Sequence, residues 1–266
     1  MTNTQRALAR TFRALHHGPD LLVLPNAWDA GSARLVEACG APAIATSSAA
    51  MSWAHGVPDG EHLDVDVLLA TVREIVRAVR IPVSVDVERG YSNVAELISA
   101  VIDAGAIGIN LEDGSDPSEV LAAKIEAVRE VATRRGVELF VNARTDVYLR
   151  GLVPNDRAVD EVIRRGTAYV AAGCDGLFVP RLVDSAAITA IASAVRVPLN
   201  VLAMPELAPM PELHALGVRR VSVGTGLAQA ALATVRKATT ELLGHRPSAM
   251  FAERIPVPEL NALFAR

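Results

Sequence analysis

Short apolar runs alternate with longer amphipathic segments along the chain, and this repetition constrains the fold more than any other feature. The strand candidates are Leu21–Leu24, Ala43–Thr46, Val83–Asp86, Ile107–Leu111, Leu139–Asn142, Gly176–Val179, Leu199–Val201 and Arg220–Val223. Each is brief and mostly apolar, as a strand covered on both faces should be. Between them the period changes. In Asp64–Arg80 the apolar positions are Val65, Leu68, Leu69, Val72, Ile75, Val76 and Val79, close to a 3.6-residue repeat. Asn93–Ala104, Ser118–Arg134, Asp156–Ala172 and Ser185–Val195 read the same way. Asn93, Ser118, Asp156 and Ser185 stand where a side chain can accept from first-turn N–H groups. Gly40, Gly105, Gly136 and Gly173 follow helix ends, where positive φ is common.

A strand–helix unit repeated eight times points to a (β/α)8 TIM barrel. An open doubly wound sheet is the competing architecture. It usually carries G-x-G-x-x-G after the first strand, and this chain reads LPNAWDAGSA there. No linker or low-complexity tract divides the sequence, so residues 1–266 read as one α/β barrel domain. A helix over Gln5–His16 is expected to cover the barrel bottom or a subunit contact. The tail from Gly244 to Arg266, with Pro247, Pro256 and Pro258, is expected to form a loop and short helix. It packs either on a partner chain or on its own domain.

At 51% hydrophobic over 266 residues, the chain can bury a large core, which excludes intrinsic disorder. A net charge of −4 without any basic block argues against nucleic acid as a partner. The apolar runs break well before the ~18 residues of a membrane span. The first residues carry arginines but no apolar core of a secretory signal. With Cys39 and Cys174 far apart, the expectation is a cytoplasmic protein without disulfides. Cys174 reads as a small buried apolar side chain.

Barrel chemistry sits at the C-terminal ends of the strands. Strand two ends in Thr46-Ser47-Ser48, strand three in Asp86-Val87-Glu88, strand four in Glu112-Asp113 and strand five in Asn142-Ala143-Arg144; strand seven carries Asn200. Several carboxylates cannot share one mouth without a cation, and a hard ion such as Mg2+, or Mn2+ in its place, suits them. In a straight strand Asp86 and Glu88 point to the same side and Val87 faces the helices. The alternative is that these residues cap helices or bridge to arginines. Arg144 offers a bidentate fork to an anionic substrate, or neutralises Glu112 or Asp113. Ser47 and Ser48 could offer donors to the same anion, or form a simple turn. His55 and Asp59 share the loop after strand two; His55 has a pKa suited to acid–base work, or is merely solvated.

The stretches LPNAWDAGSARLVEACGAPAIATSSAAMSWAHGVPDG, IPVSVDVERGYSN, GAIGINLEDG, VNARTDVYL, GCDGLFVP and GVRRVSVG together resemble the isocitrate lyase/phosphoenolpyruvate mutase superfamily. The resemblance implies a barrel whose last helix is exchanged between subunits of a homodimer or homotetramer. It also implies Asp86 as direct Mg2+ ligand, Glu88, where the family usually has Asp, as a ligand directly or through water, and Glu112 as a further ligand through water. Asp59 matches an acidic residue near metal and substrate. Ser47 and Ser48 match the clamp on the substrate carboxylate, and Arg144 the arginine on that substrate. Tyr91 would line the site, and Asn200 is a softer match. One departure stands out. Lyase members carry a lid with a Cys-Gly-His element after strand four, and mutase members a lid with lysine and asparagine. Here LEDGSDPSEV runs almost directly into the next helix.

The chemistry implied is stabilisation of a pyruvate-like enolate on Mg2+. The leading expectation is a carbon–carbon lyase or decarboxylase acting on a small 2-oxo or 2-hydroxy di- or tricarboxylic acid. Decarboxylation asks least of a lid, because only carbon dioxide leaves. A phosphonomutase and a 2-oxo acid binding protein with little catalysis are the alternatives.

Overall fold

The computed structural model describes residues 3–246, 251 and 254–265; Pro247 lies outside them. Helix α1 (Asn3–His17) precedes β1 (Leu22–Leu24) and β2 (Asn26–Ala27), followed by α2 (Ala30–Ala38), β3 (Ile44–Thr46), α3 (Ser48–Ala54), α4 (Val65–Ala78) and β4 (Val83–Asp86). Then come α5 (Val94–Asp103), β5 (Gly108–Glu112), α6 (Ser118–Arg135), β6 (Phe140–Arg144), α7 (Val147–Arg150), α8 (Asn155–Ala171) and β7 (Gly176–Val179). The order ends with α9 (Ser185–Val195), β8 (Leu199–Leu202), α10 (Met210–Ala215), β9 (Val218–Ser222), α11 (Gly226–Leu243) and α12 (Val257–Phe264).

All the strand pairs are parallel, in the order β1-β9-β8-β7-β6-β5-β4-β3-β2. The first strand is split at Pro25, which has no N–H to give a ladder. Its first half pairs with β9 and its second half with β3, so the sheet curls into the expected TIM barrel. Asn26 spans the seam. Its Nδ2 donates to Thr46 O, and its Oδ1 accepts from Val223 N and Gly224 N.

Alternation along each strand sorts the side chains. Val85, Ile109, Leu111, Val141, Leu177, Val201 and Val221 join the main hydrophobic cluster beneath the helices. Val87 belongs to it too, facing outward as the strand pattern predicts. The intervening positions hold more polarity than mostly apolar strands suggest. Ser84, Asn110, Asn142, Asn200, Arg220 and Ser222 are all buried. Asn142 donates to Asn110 at 2.9 Å, and Arg220 Nη2 donates to the same oxygen at 3.3 Å. Burial pulls the Arg220 guanidinium down to about 9.

Helix α1 plugs the barrel bottom. Phe12 is wholly buried and packs edge-on against Phe140. Gly108 makes room for it: a Cβ there would stand 2.9 Å from the Phe12 ring. Arg13 and Arg129 both pair with Asp175, tying the helix to the barrel floor. The tail helix α12 packs on α2 of its own chain, with Arg34 Nη2 donating to Leu263 O.

Three expected caps move by one or two residues. Asn93 does accept from Glu96 N. Ser118 is inside its helix, after Pro117, and bonds Glu119 instead. Asp156 likewise follows Pro154 and Asn155. At α9 the cap is Asp184, accepting from Ala187 N, and Ser185 is the first helical residue. Proline fixes the extended entry at two of these sites without any side-chain bond. Cys174 is buried, as expected, and burial pushes its thiol up to about 12.

Candidate active site

The C-terminal strand ends bring Asp86, Glu112 and Arg144 together. Asp86 closes β4. Its Oδ2 accepts from Ser48 N at 3.2 Å and from Ser48 Oγ at 2.8 Å. Ser48 therefore serves the carboxylate of Asp86. Ser47 is buried and caps α3, its Oγ accepting from Ala50 N.

Glu88 departs from the straight-strand expectation. The strand ends at Asp86, and Glu88 has φ +51, in the left-handed region that costs a non-glycine residue about 1 kcal/mol or more. In that bend the side chain bonds the α3–α4 loop and the turn after β4 rather than the strand. Oε2 accepts from Glu61 N at 2.5 Å and Oε1 from Tyr91 OH at 3.3 Å. Tyr91 thus reaches the strand-end group only through its bond to Glu88. Glu61 completes the clasp by accepting from Tyr91 N and pairing with Arg89.

Arg144 is held from two sides. Its Nε and Nη2 donate to Asp146 at 2.7 and 3.1 Å, and its Nη1 pairs with Glu112 at 2.6 Å. Burial alone would pull the guanidinium down, but Glu112 and Asp146 more than offset it and keep Arg144 charged. Asp146 is buried and was not singled out as a site residue by its sequence position; the NARTD stretch that contains it was the available signal. Asp113 stands behind it. One oxygen accepts from Asp146 N at 2.9 Å, the other from Arg165 Nη1 at 2.8 Å and Tyr169 OH at 2.7 Å. Only residues 113–117 link β5 to α6, so the lid position is a short turn closed by Asp116 N on Asp113 O.

Two sequence candidates stand apart from this group. His55 ends α3 and is exposed, with Nε2 bonded to Thr71 Oγ1 on α4 at 3.2 Å. The helix carries it toward α4 and away from the strand ends. Asn200 is wholly buried and spends its side chain on Val201 O and Ser222. Asp59 lies in the exposed loop between α3 and α4. Partial desolvation and then Asp86 push its carboxyl up, while Gly60 N–H, Arg144 and Arg150 pull it down.

Among the described residues no three Asp, Glu, His or Cys side chains are close enough to hold a metal directly. The donor set still fits a hard cation that keeps part of its water. Burial, then Asp86, push Glu88 up to about 7. Burial pushes Glu112 up to about 8, against the pull of Arg144 and with Asp86 adding to the rise. An excess of mutually repelling carboxyls is what a divalent ion relieves.

This crowding has a pH signature. The Glu88 carboxyl ordinarily titrates at 4.5, so the folded chain binds its proton more tightly than the unfolded chain does. Its contribution to stability is complete below about 4.5 and is lost as pH rises through about 7. Glu112 extends the loss toward about 8. Thermal melts in EDTA should therefore show Tm falling from about pH 5 to about pH 8. Glu88→Gln should flatten the lower half of the slope. A Tm that climbs across this window would contradict the raised carboxyls.

The sequence matches the phosphoenolpyruvate phosphomutase family over residues 12–243. It is 29% identical to 2-methylisocitrate lyase of Bacillus subtilis, over 74% of this chain and 67% of that one. It is 30% identical to oxaloacetate decarboxylase of a Bradyrhizobium species, over 83% of this chain and 78% of that one. Among solved structures, one from Burkholderia cenocepacia, described in the broad terms "lyase/mutase", superposes with TM-score 0.91 at 35% identity, covering 100% of this chain and 98% of that one. A phosphonopyruvate hydrolase in complex with oxalate and Mg2+ superposes with TM-score 0.82 at 26% identity, covering 96% and 94%. A barrel of this topology, matched over most of its length, makes the chain a member of the phosphoenolpyruvate phosphomutase family, within the isocitrate lyase/phosphoenolpyruvate mutase superfamily.

Proposed function

We propose that the protein is a Mg2+-dependent carbon–carbon lyase or decarboxylase acting on a small 2-oxo or 2-hydroxy di- or tricarboxylic acid. The observation that carries this reading is the pairing of an intact Asp86–Glu112–Arg144 mouth with a five-residue turn, 113–117, in the lid position. Related chains at 27–30% identity named as lyases and decarboxylases support it, as does the oxalate and Mg2+ held by the structural relative.

Asp86 would hold the ion directly, with Glu88 and Glu112 reaching it through water. When bound, the ion would withdraw charge from the keto oxygen of the substrate. Arg144, fixed by Asp146, orients the substrate carboxylate beside it. Cleavage of a β-carboxylate leaves the bonding electron pair on C3, delocalised toward that oxygen, and carbon dioxide departs without needing a partner. A proton must then reach C3. Asp59 is the acid–base group we assign, because it lies in the connection from β3 to α4 on the strand-end side of the barrel, and partial burial and then Asp86 raise its carboxyl. A transferring phosphoryl group, by contrast, would need cations above the mouth, and the 113–117 turn supplies none.

The test is a panel of oxaloacetate, 2-methylisocitrate, isocitrate and phosphonopyruvate, each with Mg2+ and with EDTA, followed by NMR. EDTA-sensitive release of a 2-oxo acid from one of the first three is expected. Turnover of phosphonopyruvate alone would replace this reading with the mutase-type one. Thermal stabilisation without any product would replace it with a binding role. We also infer a homodimer or homotetramer, because α11 exposes Leu232, Val235, Leu242 and Leu243. A light-scattering mass equal to one 28.1-kDa chain would overturn that.

A further inference from the structure

Arg150 ends the short helix α7 that follows β6. Its Nε donates to Asp146 Oδ2 at 2.9 Å, the oxygen that also takes Arg144 Nη2 at 3.1 Å. Two guanidiniums therefore share one buried carboxylate. They differ in what is left over. Arg144 spends three nitrogens on Asp146 and Glu112, and its side chain is 17% exposed. Arg150 spends only Nε. Among the described residues its two terminal nitrogens form no further hydrogen bond, and its side chain is 48% exposed. It stands at the strand-end face of the barrel, because the carboxylate it shares with Arg144 lies two residues past the end of β6.

A planar fork held at Nε presents its two Nη groups side by side, the arrangement that binds a carboxylate with two parallel hydrogen bonds. The short 113–117 turn places no cation over the far end of a substrate. A second carboxylate must then be met from the barrel rim, and Arg150 is the rim guanidinium anchored beside Arg144.

We propose that Arg150 binds the distal carboxylate of a substrate with two carboxylates, and so selects dicarboxylic over monocarboxylic acids at this mouth. The proposal deepens the lyase reading above and rests on it. Its competitor is a purely positioning role, in which Arg150 only steadies Asp146 and, through it, Arg144.

Two probes separate these. Oxalate occupies the metal and Arg144 end alone. Malate has the same chelating end, through its carboxylate and hydroxyl, and adds a carboxylate beyond it. Calorimetry with Mg2+ present is expected to show Arg150→Gln weakening malate roughly 10- to 100-fold while oxalate stays within about twofold. Arg150→Lys, which keeps the charge and loses the fork, should recover malate to within about fivefold of the parent protein. Equal weakening of both probes in Arg150→Gln would overturn the proposal in favour of positioning through Asp146. Unchanged malate affinity in that variant, or a parent protein that binds oxalate but not malate, would overturn it while leaving the lyase reading in place. A parent protein that binds neither probe with Mg2+ would remove the lyase reading and this proposal with it.

Discussion

Asp86→Ala should leave a folded protein with almost no Mg2+-dependent turnover, at least about a thousand-fold below the parent in kcat/KM, or roughly 4 kcal/mol of transition-state stabilisation. Asp86 is the strand-end carboxylate that two neighbours orient through three contacts, from Ser48 N, Ser48 Oγ and, at longer range, Glu88 N. Burial raises the carboxyls of Asp59, Glu88 and Glu112, and the charge of Asp86 adds to the rise in each. Removing it therefore acts twice. Metal and ligand binding are lost, and the crowding among the remaining carboxyls is relieved. In EDTA near pH 8 the variant should melt no lower than the parent, while the parent alone gains stability on adding Mg2+ with oxalate. Turnover within tenfold of the parent would sink the assignment of Asp86 to the metal.

The second large effect falls on stability. Asp113→Ala is expected to cost about 3–5 kcal/mol, because it strips a partner from a buried ion pair and leaves the other charge stranded. The Asp113 side chain is 0% exposed and that of Arg165 9%. Tyr169 OH and Asp146 N lose their acceptor at the same time. For a chain of this size the loss corresponds to a Tm fall of roughly 5 to 9 °C. Asp113→Asn should fall in between, since its amide oxygen still accepts from Asp146 N, while its NH2 takes the place of the oxygen that served Tyr169 and Arg165 and no longer balances the guanidinium. Thermal melts of both variants check this. A fall below about 2 °C for the alanine variant would mean that Arg165 finds its balance in Glu161 alone, with which it also pairs.

Most of the frame was legible from periodicity. Val83–Asp86 and Gly176–Val179 match the observed strands residue for residue, and α9 matches Ser185–Val195. The last strand begins two residues earlier than expected, at Val218, because the inward Arg220 reads as a strand terminus when only apolar runs are counted. Short helices such as α3 and α7 carry too few turns to show a period, so they were missed. Strand-end position was enough to place Asp86, Glu112 and Arg144 at one end of the barrel. It could not place Glu88, whose left-handed backbone is set by the Glu61 clasp from a loop 27 residues away. Nor could it place His55 or Asn200, because a hydrogen bond to Thr71 or to Ser222 depends on which way a neighbouring element turns. Arg144 and Arg150 share the Asp146 carboxylate, and only three-dimensional contact shows that.

The seam at Asn26 also governs when the chain can finish folding. Its bonds to Val223 and Gly224 join residues 197 and 198 positions apart, so β1 has no lasting partner until the last strand exists. At a synthesis rate of about 5–20 residues per second, that is a wait of roughly 10–40 s. Until then any sheet the earlier strands form is open, with two bare edges free to mispair with another chain. Closing the circle late makes the barrel's first strand the last to be satisfied, and makes truncation anywhere before β9 equivalent to leaving both edges open.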